Sequence, residues 1–288
     1  MKYEQFIFEM LECIKKKLPV EECVERQEVL KNNGVVMVGL TIRDQKKVIA
    51  PVIYLDEYYR KYLKGDSVEN LSEALIERSK CAPEMLQWDY GKIFDFEQMK
   101  DKIIYKLINT EENRKMLEEV PNLPMLDFSI VFYLQLPISD TENGSILIRN
   151  SHIDLWKCPI SILYSLAREN TPRLCPPVLC YLTEFLKKYE EYIDEECSVM
   201  VLSNETGING AAALLYPKMP EYIYKTVGGN YYLLPSSVHE FLIVPEEKGI
   251  NPSELIAIVR EVNRTEIEKA EFLSDDIYYF NHDIITKM

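Results

Sequence analysis

The sequence predicts an α+β fold: a mixed or largely antiparallel sheet with packed helices, preceded by a smaller N-terminal α+β lobe. Three observations predict it. Asn33-Gly34 and Asn143-Gly144 each stand beside apolar or mixed runs, and Asn-Gly favours the positive backbone φ of a hairpin turn. Segments of helical period are interspersed with segments rich in β-branched and aromatic residues. Towards the end of the chain short strands and helices alternate, so hairpins and helical crossovers share one architecture.

The elements follow in order. Phe6, Ile7, Met10, Leu11, Ile14 and Leu18 recur at helical spacing, and Pro19 closes this first helix. Val24–Leu30 and Val35–Ile42 flank Asn32-Asn33-Gly34 as a β-hairpin. Pro51-Val-Ile-Tyr54 leads into a tyrosine-rich helix, Leu55–Lys64, with Gly65 as its C-terminal cap. Asp66 or Ser67 caps the next helix, Val68–Lys80. Residues 1–80 thus form a lobe, 81–95 a connector of weak periodicity, and 96–288 the main domain.

In the main domain, helices are predicted over Phe96–Leu107 and, capped by Thr110, over Glu111–Val120, with Pro121 and Pro124 ending the pair. Leu126–Leu136 is the longest strand candidate. Asn143-Gly144 turns the chain into Ser145–Arg149, a second hairpin. Two helices follow, near Pro159–Ala167 and Pro177–Ile193. Ser198–Leu202, Tyr231–Leu234, Phe241–Val244 and Ile277–Phe280 read as strands. Gly210–Leu215, Met219–Thr226 and Pro252–Val262 read as helical, the last with proline in its first turn.

Bulk properties exclude several classes. With 288 residues, 47% hydrophobic and 28% charged, the chain has the balance of a globular protein and can bury about three quarters of its unfolded surface without a disulfide or metal. Its 47 acidic against 33 basic residues give a formal charge of -14, a field that repels phosphate backbones and anionic lipid, so direct nucleic-acid binding is not expected. The acids occur in short pairs such as Glu21-Glu22, Glu118-Glu119 and Asp275-Asp276 among lysines, the pattern of solvated helix faces. The first residues form an amphipathic helix rather than a signal peptide, and no apolar run reaches membrane-spanning length. Seven scattered cysteines, an odd number, fit reduced thiols in a cytoplasm.

The densest chemistry lies in LPSSVHEFLIVP, Leu234 to Pro245. On an extended strand His239 and Glu240 point to opposite faces, so Glu240 cannot orient His239 as the acid of a triad. Ser237 and His239 share a face with Cα atoms roughly 6–7 Å apart. No Gly-x-Ser-x-Gly elbow exists, and Pro-Ser-Ser reads first as turn chemistry. Cys175, Cys180, Cys158 and His152 would suffice in number for a tetrahedral zinc site. Leu174, Val178, Leu179 and Leu182 surround the two later cysteines at helical spacing, however, as around core thiols. Gly207-Ile-Asn-Gly210 precedes a small-residue helix, where close packing is the simpler reading and an anion at the helix start the alternative. No catalytic set, cofactor or metal site is assigned.

The segments NNGVVMVGLTIR, PVIYLDEYYRKYLKGDS, LDFSIVFYLQL, VLSNETGINGAAALLYP and NYYLLPSSVHEFLIVPE, with those between and after them, resemble an uncharacterised clostridial family of the Firmicutes, domain of unknown function 5688. The resemblance spans nearly the whole chain. It implies no activity, cofactor or catalytic residue. The leading expectation is therefore a non-enzymatic cytoplasmic protein that binds an unknown protein or small-molecule partner, without nucleic acid or membrane. Its candidate surface is Ser236, Ser237, His239 and Glu240 with the Asn209-Gly210 helix start. One alternative is a hydrolase-like enzyme joining a serine or cysteine to His239 or His152 and a remote carboxylate. Another is an acidic mimic of nucleic acid, which requires carboxylates in rows on one face.

Overall fold

A computed structural model describes residues 1–44, 52–80, 93–137, 143–187, 198–247 and 250–288. The chain divides into two compact units, residues 1–95 with 136–144, and 96–135 with 145–288.

In the first unit, helix α1 (Tyr3–Lys17) buries Phe6, Ile7, Met10 and Ile14, the stripe that its helical spacing requires. Glu4 in its first turn and Lys15, Lys16 and Lys17 in its last complement the helix dipole. Strands β1 (Glu22–Leu30) and β2 (Val36–Asp44) pair antiparallel from Glu22↔Asp44 to Leu30↔Val36. The loop between them is a 3₁₀ turn, Asn32–Gly34, with Asn33 at φ 57° and Gly34 at φ 68°. The Asn-Gly pair thus takes the left-handed conformations that its chemistry favours. Strand β3 (Ile53–Tyr54) adds to β2, and helices α2 (Asp56–Leu63) and α3 (Val68–Lys80) pack their Tyr58, Leu71, Leu75 and Ile76 into the same core. The predicted connector lies mostly outside the described residues.

The second unit begins with a short helix, α4 (Phe96–Met99), and strand β4 (Ile103–Asn109). The helix expected over Phe96–Leu107 therefore ends early. Ile103, Ile104, Tyr105, Leu107 and Ile108 are all buried, and such a two-sided apolar run suits a covered strand. Helix α5 (Arg114–Leu117) is likewise shorter than predicted and follows a 3₁₀ turn. Strands β5 (Asn122–Met125) and β6 (Phe128–Pro137) form a tight hairpin, with Leu126 at φ 56° in its turn. Strand β7 (Asn143–Leu147) pairs with β6 and includes Asn143 and Gly144, so those two residues belong to the strand rather than to a turn.

Helix α6 (Asn150–Trp156) had no counterpart in the predicted elements, while α7 (Ile160–Leu174) extends the predicted one. Pro177–Ile193 is not helical throughout. Pro177–Tyr181 is strand β8 and Leu182–Lys187 forms helix α8, while residues 188–193 of the predicted helix lie outside the described residues. β9 (Met200–Asn204), a 3₁₀ segment (Gly210–Leu215), α9 (Met219–Val227), β10 (Tyr231–Ser237), β11 (Glu240–Pro245), α10 (Pro252–Thr265), β12 (Tyr278–Phe280) and β13 (Ile285–Lys287) complete the chain.

A six-stranded sheet runs β13-β12-β10-β11-β9-β8 and is antiparallel at each pairing; β4, β6 and β5 form another with β7 attached. With helices on these sheets, the fold is α+β. One face of the six-stranded sheet packs Tyr232, Leu234 and Val244 against Val259 of α10. On the other, Phe128 of β6 meets Phe241 and Tyr278 with ring centroids 6.1 and 5.0 Å apart. These aromatic contacts seat the tip of the β5–β6 hairpin beside β12.

Candidate functional site

The LPSSVHEFLIVP segment folds as the β10–β11 hairpin. Pro235 pairs with Phe241 and Ser237 with Glu240, which leaves Ser236 as the extra residue of a β-bulge. The turn proper is therefore Val238-His239, not Pro-Ser-Ser. Ser237 is buried; its Oγ donates to Glu240 Oε1 at 2.9 Å and accepts the His239 N–H at 2.9 Å. Ser237 thus meets the main chain of His239, while its hydroxyl is directed to Glu240.

The imidazole turns to two other segments. His239 Nδ1 accepts the Asn209 N–H at 3.0 Å, which puts the ring proton on Nε2, 3.4 Å from Glu271 Oε1. Asn209 has φ 53° and opens the 3₁₀ segment, and the Ala211 N–H two residues on donates to Val238 O at 3.2 Å. The Asn209 and Ala211 amides are thus satisfied internally, which weighs against the anion-binding alternative at this helix start. Gly210 is wedged. A Cβ there would lie 2.3 Å from Ser203 Oγ, 2.5 Å from His239 O and 2.7 Å from the Asn204 nitrogen. The loop before it is held by Asn204, whose Nδ2 donates to Ile208 O and whose Oδ1 accepts from Thr206. The structure therefore joins Ser237, His239 and Glu240 to Asn209 and Gly210. Ser237 and Gly210 are buried, and Ser236, His239, Glu240 and Asn209 are half-exposed.

Glu271 belongs to an irregular strap, residues 266–277, between α10 and β12. One backbone bond and two side chains, rather than a ladder, pin it. Val238 N–H donates to Glu271 O at 2.8 Å, Asn109 Nδ2 to Leu273 O at 2.9 Å and Asn263 Nδ2 to Ser274 O at 2.9 Å. Beyond the strap lies a pocket of ≈ 450 Å³ walled by Asn109, Thr110, Glu112, Asp127, Asp275 and Asp276 among others. Asp127, at the tip of the β5–β6 hairpin, is its hub. It accepts from Tyr278 Oη at 2.5 Å and Ser274 Oγ at 3.2 Å, and pairs with Lys287 Nζ at 3.1 Å. Lys287 also reaches Asp276 Oδ2 at 2.6 Å, and Arg260 meets the same carboxylate at 3.3 Å. Burial, then the Asp127 hydrogen bond, push the Tyr278 phenol far above its ordinary range, while the Asp276 contact raises the Lys287 ammonium. Tyr278 is thus a neutral donor and Lys287 a fixed cation.

Asp127, Ser274, Asp276 and Lys287 escaped the sequence reading. The only mark they leave is the Asp275-Asp276 pair, which reads as one of several acidic pairs on solvated helix faces.

His152 serves structure. His152 Nδ1 accepts the Arg149 N–H at 2.9 Å as part of a helix cap, and its ring stacks on Trp156 at 5.7 Å. Burial lowers its basicity, with Arg149 contributing. Burial raises the thiol pKa of Cys158 and Cys175, so both resist ionisation. Cys175 caps α7 and Cys180 lies within β8, not on one helix as their spacing suggested. Among the described residues no group of three His, Cys, Asp or Glu side chains is placed to hold a metal ion. Among them, too, no helix is long and apolar enough to cross a membrane.

The chain matches the family described as "Family of unknown function (DUF5688)" over residues 3–282. No curated protein and no solved structure matches it.

Proposed function

The chain belongs to the DUF5688 family of unknown function, and from that premise we propose that it is a non-enzymatic binding or regulatory protein of a reducing, cytoplasmic setting. Its recognition face comprises the half-exposed Ser236, His239, Glu240 and Asn209, held on Ser237 and Gly210, together with the strap and its acidic pocket. The ligand is a basic group on a partner, such as a lysine side chain or a polyamine. One observation carries this reading. Five carboxylates, Glu111, Glu112, Asp127, Asp275 and Asp276, border the pocket; Lys287 pairs with Asp127 and Asp276, Arg260 with Asp276 and Arg114 with Glu111, so Glu112 and Asp275 carry the excess negative charge. Such a focused negative field favours cationic ligands.

The hydrolase-like alternative has its remote carboxylate in Glu271 but lacks an open base. Asn209 and Glu271 occupy both ring nitrogens of His239, and Ser237 points elsewhere. Mimicry of nucleic acid needs unpaired rows of acid. Instead Glu4, Glu25, Glu57, Glu73, Glu97 and Glu119 each meet a lysine or arginine.

Calorimetric titration with a short lysine-rich peptide tests the proposal. Saturable binding is expected, weakening with salt and falling about tenfold when Glu112→Gln and Asp275→Asn are combined. No heat of binding would remove the basic-ligand reading. Turnover on a hydrolase substrate panel that disappears in His239→Ala would replace it with the enzyme.

A further inference from the structure

We propose that His239 is a proton-operated clip that releases the 205–209 loop from the recognition face. The inference rests on the reading of that face as the recognition surface. Its core is geometric. The ring joins three separate segments, the β10–β11 hairpin that bears it, the loop that ends in Asn209 and the strap that bears Glu271. The bond to Asn209 requires a lone pair on Nδ1, which only neutral imidazole has. Protonation places an N–H on Nδ1 directly opposite the Asn209 N–H, so an acceptor becomes a second donor. At Nε2 the same event strengthens the contact, because Glu271 then pairs with a full positive charge. The clip therefore opens on one side only: the hairpin stays tied to the strap while the loop loses its tether.

Imidazole is the side chain that changes charge between about pH 5 and 8. The charged groups around this ring can be assigned by segment. Glu271 faces Nε2 from the strap, which also carries Glu266, Glu268 and Lys269. On the hairpin, Glu240 is directed to Ser237. The loop contributes Glu205, which is exposed. His239 keeps a quarter of its side chain exposed, so solvent protons reach it without unfolding. Release is local, because the neighbouring tethers involve no titrating group. Ala211 N–H still donates to Val238 O, and Ser203 Oγ still donates to His239 O at 2.8 Å.

The test is a pH series from 8 to 5 on the full chain by nuclear magnetic resonance, following the His239 ring nitrogens and the Asn209 and Ala211 amides. At pH 8 the ring should carry its proton on Nε2. As it takes up the second proton, exchange of the Asn209 amide, relative to its intrinsic rate, should rise at least about tenfold while Ala211 stays protected. Glu271→Gln keeps an acceptor for Nε2–H but removes the charge, and in this variant too the Asn209 exchange should rise in step with protonation of the ring. A ring proton on Nδ1 at pH 8 would overturn the proposal. So would Asn209 protection that persists through the His239 titration, or loss of Ala211 protection in step with Asn209. None of these signals needs a ligand, so failure of peptide binding and failure of the clip are separate results.

Discussion

At the scale of single residues, Gly210 shows how a position is dictated by its neighbours. Its backbone angle is open to other residues, yet three atoms occupy the space of a Cβ, two of them main-chain atoms that cannot swing away. Gly210→Ala should destabilise the chain by about 1–3 kcal/mol in denaturant unfolding, because the 3₁₀ segment must shift off the hairpin. Stability within about 0.5 kcal/mol of the parent would show that the contact relaxes at no cost. The sequence marks Gly210 as a close-packing glycine from the Ala211–Ala213 run beside it. It does not say against what. His239 and Asn209 are 30 residues apart, and their bond exists only because the 3₁₀ segment crosses the hairpin mouth.

At the scale of elements, α7 and β4 illustrate a joint made by polar groups. β4 is an edge strand, and α7 covers part of that edge with side chains. Thr171 Oγ1 accepts the Tyr105 N–H at 3.1 Å, and Asn170 Nδ2 donates to Lys100 O at 2.8 Å and Ile103 O at 3.1 Å. Asn170→Ala removes a donor from the buried Ile103 carbonyl and one of the two donors of Lys100 O, which keeps the Ile103 N–H, so a loss of about 1–3 kcal/mol is expected, measured by chemical denaturation. A neutral substitution would mean that water reaches those carbonyls. This joint also explains a misreading. Phe96–Leu107 carries apolar residues at helical spacing, but Ile103-Ile-Tyr105 is β-branched and aromatic, and a strand partner in β6 decides for β structure. Pro177–Tyr181 likewise becomes a strand because β9 supplies its ladder and an edge tolerates proline. By contrast, α1, α3 and the Asn33-Gly34 turn were legible, since their signals are local: period, caps and a left-handed turn.

At the scale of the whole molecule, buried phenols set the alkaline limit. Burial raises Tyr105, Tyr216, Tyr231 and Tyr278 above the ordinary phenol range, with Asp127 adding to the effect on Tyr278. A raised folded pKa means the folded chain holds the proton more tightly. The stability so contributed is complete below the ordinary phenol value near about 10 and is lost as pH climbs above it. Phenolate absorbance and circular dichroism recorded together should show exposed tyrosines ionising first and these four ionising only with unfolding. A single ionisation step near pH 10 for all 19 tyrosines, with the fold intact, would contradict this.

The sequence by itself determined the α+β class, the first hairpin, the amphipathic helices and the net negative charge, because periodicity, turn chemistry and composition need no long-range contact. It also singled out Ser237, His239, Glu240, Asn209 and Gly210, by density of polar chemistry in one case and by small residues in the other. Only the tertiary structure decided what those residues touch. Glu271 faces His239 across 32 positions, and Asp127 meets Tyr278 across 151. Such contacts depend on strand order and on a strap held by isolated hydrogen bonds. The strap has no period, and the pocket beyond it comes from four separate stretches of chain. Long-range pairing leaves no local signal, so the polar network becomes visible only when the sheets have closed around it.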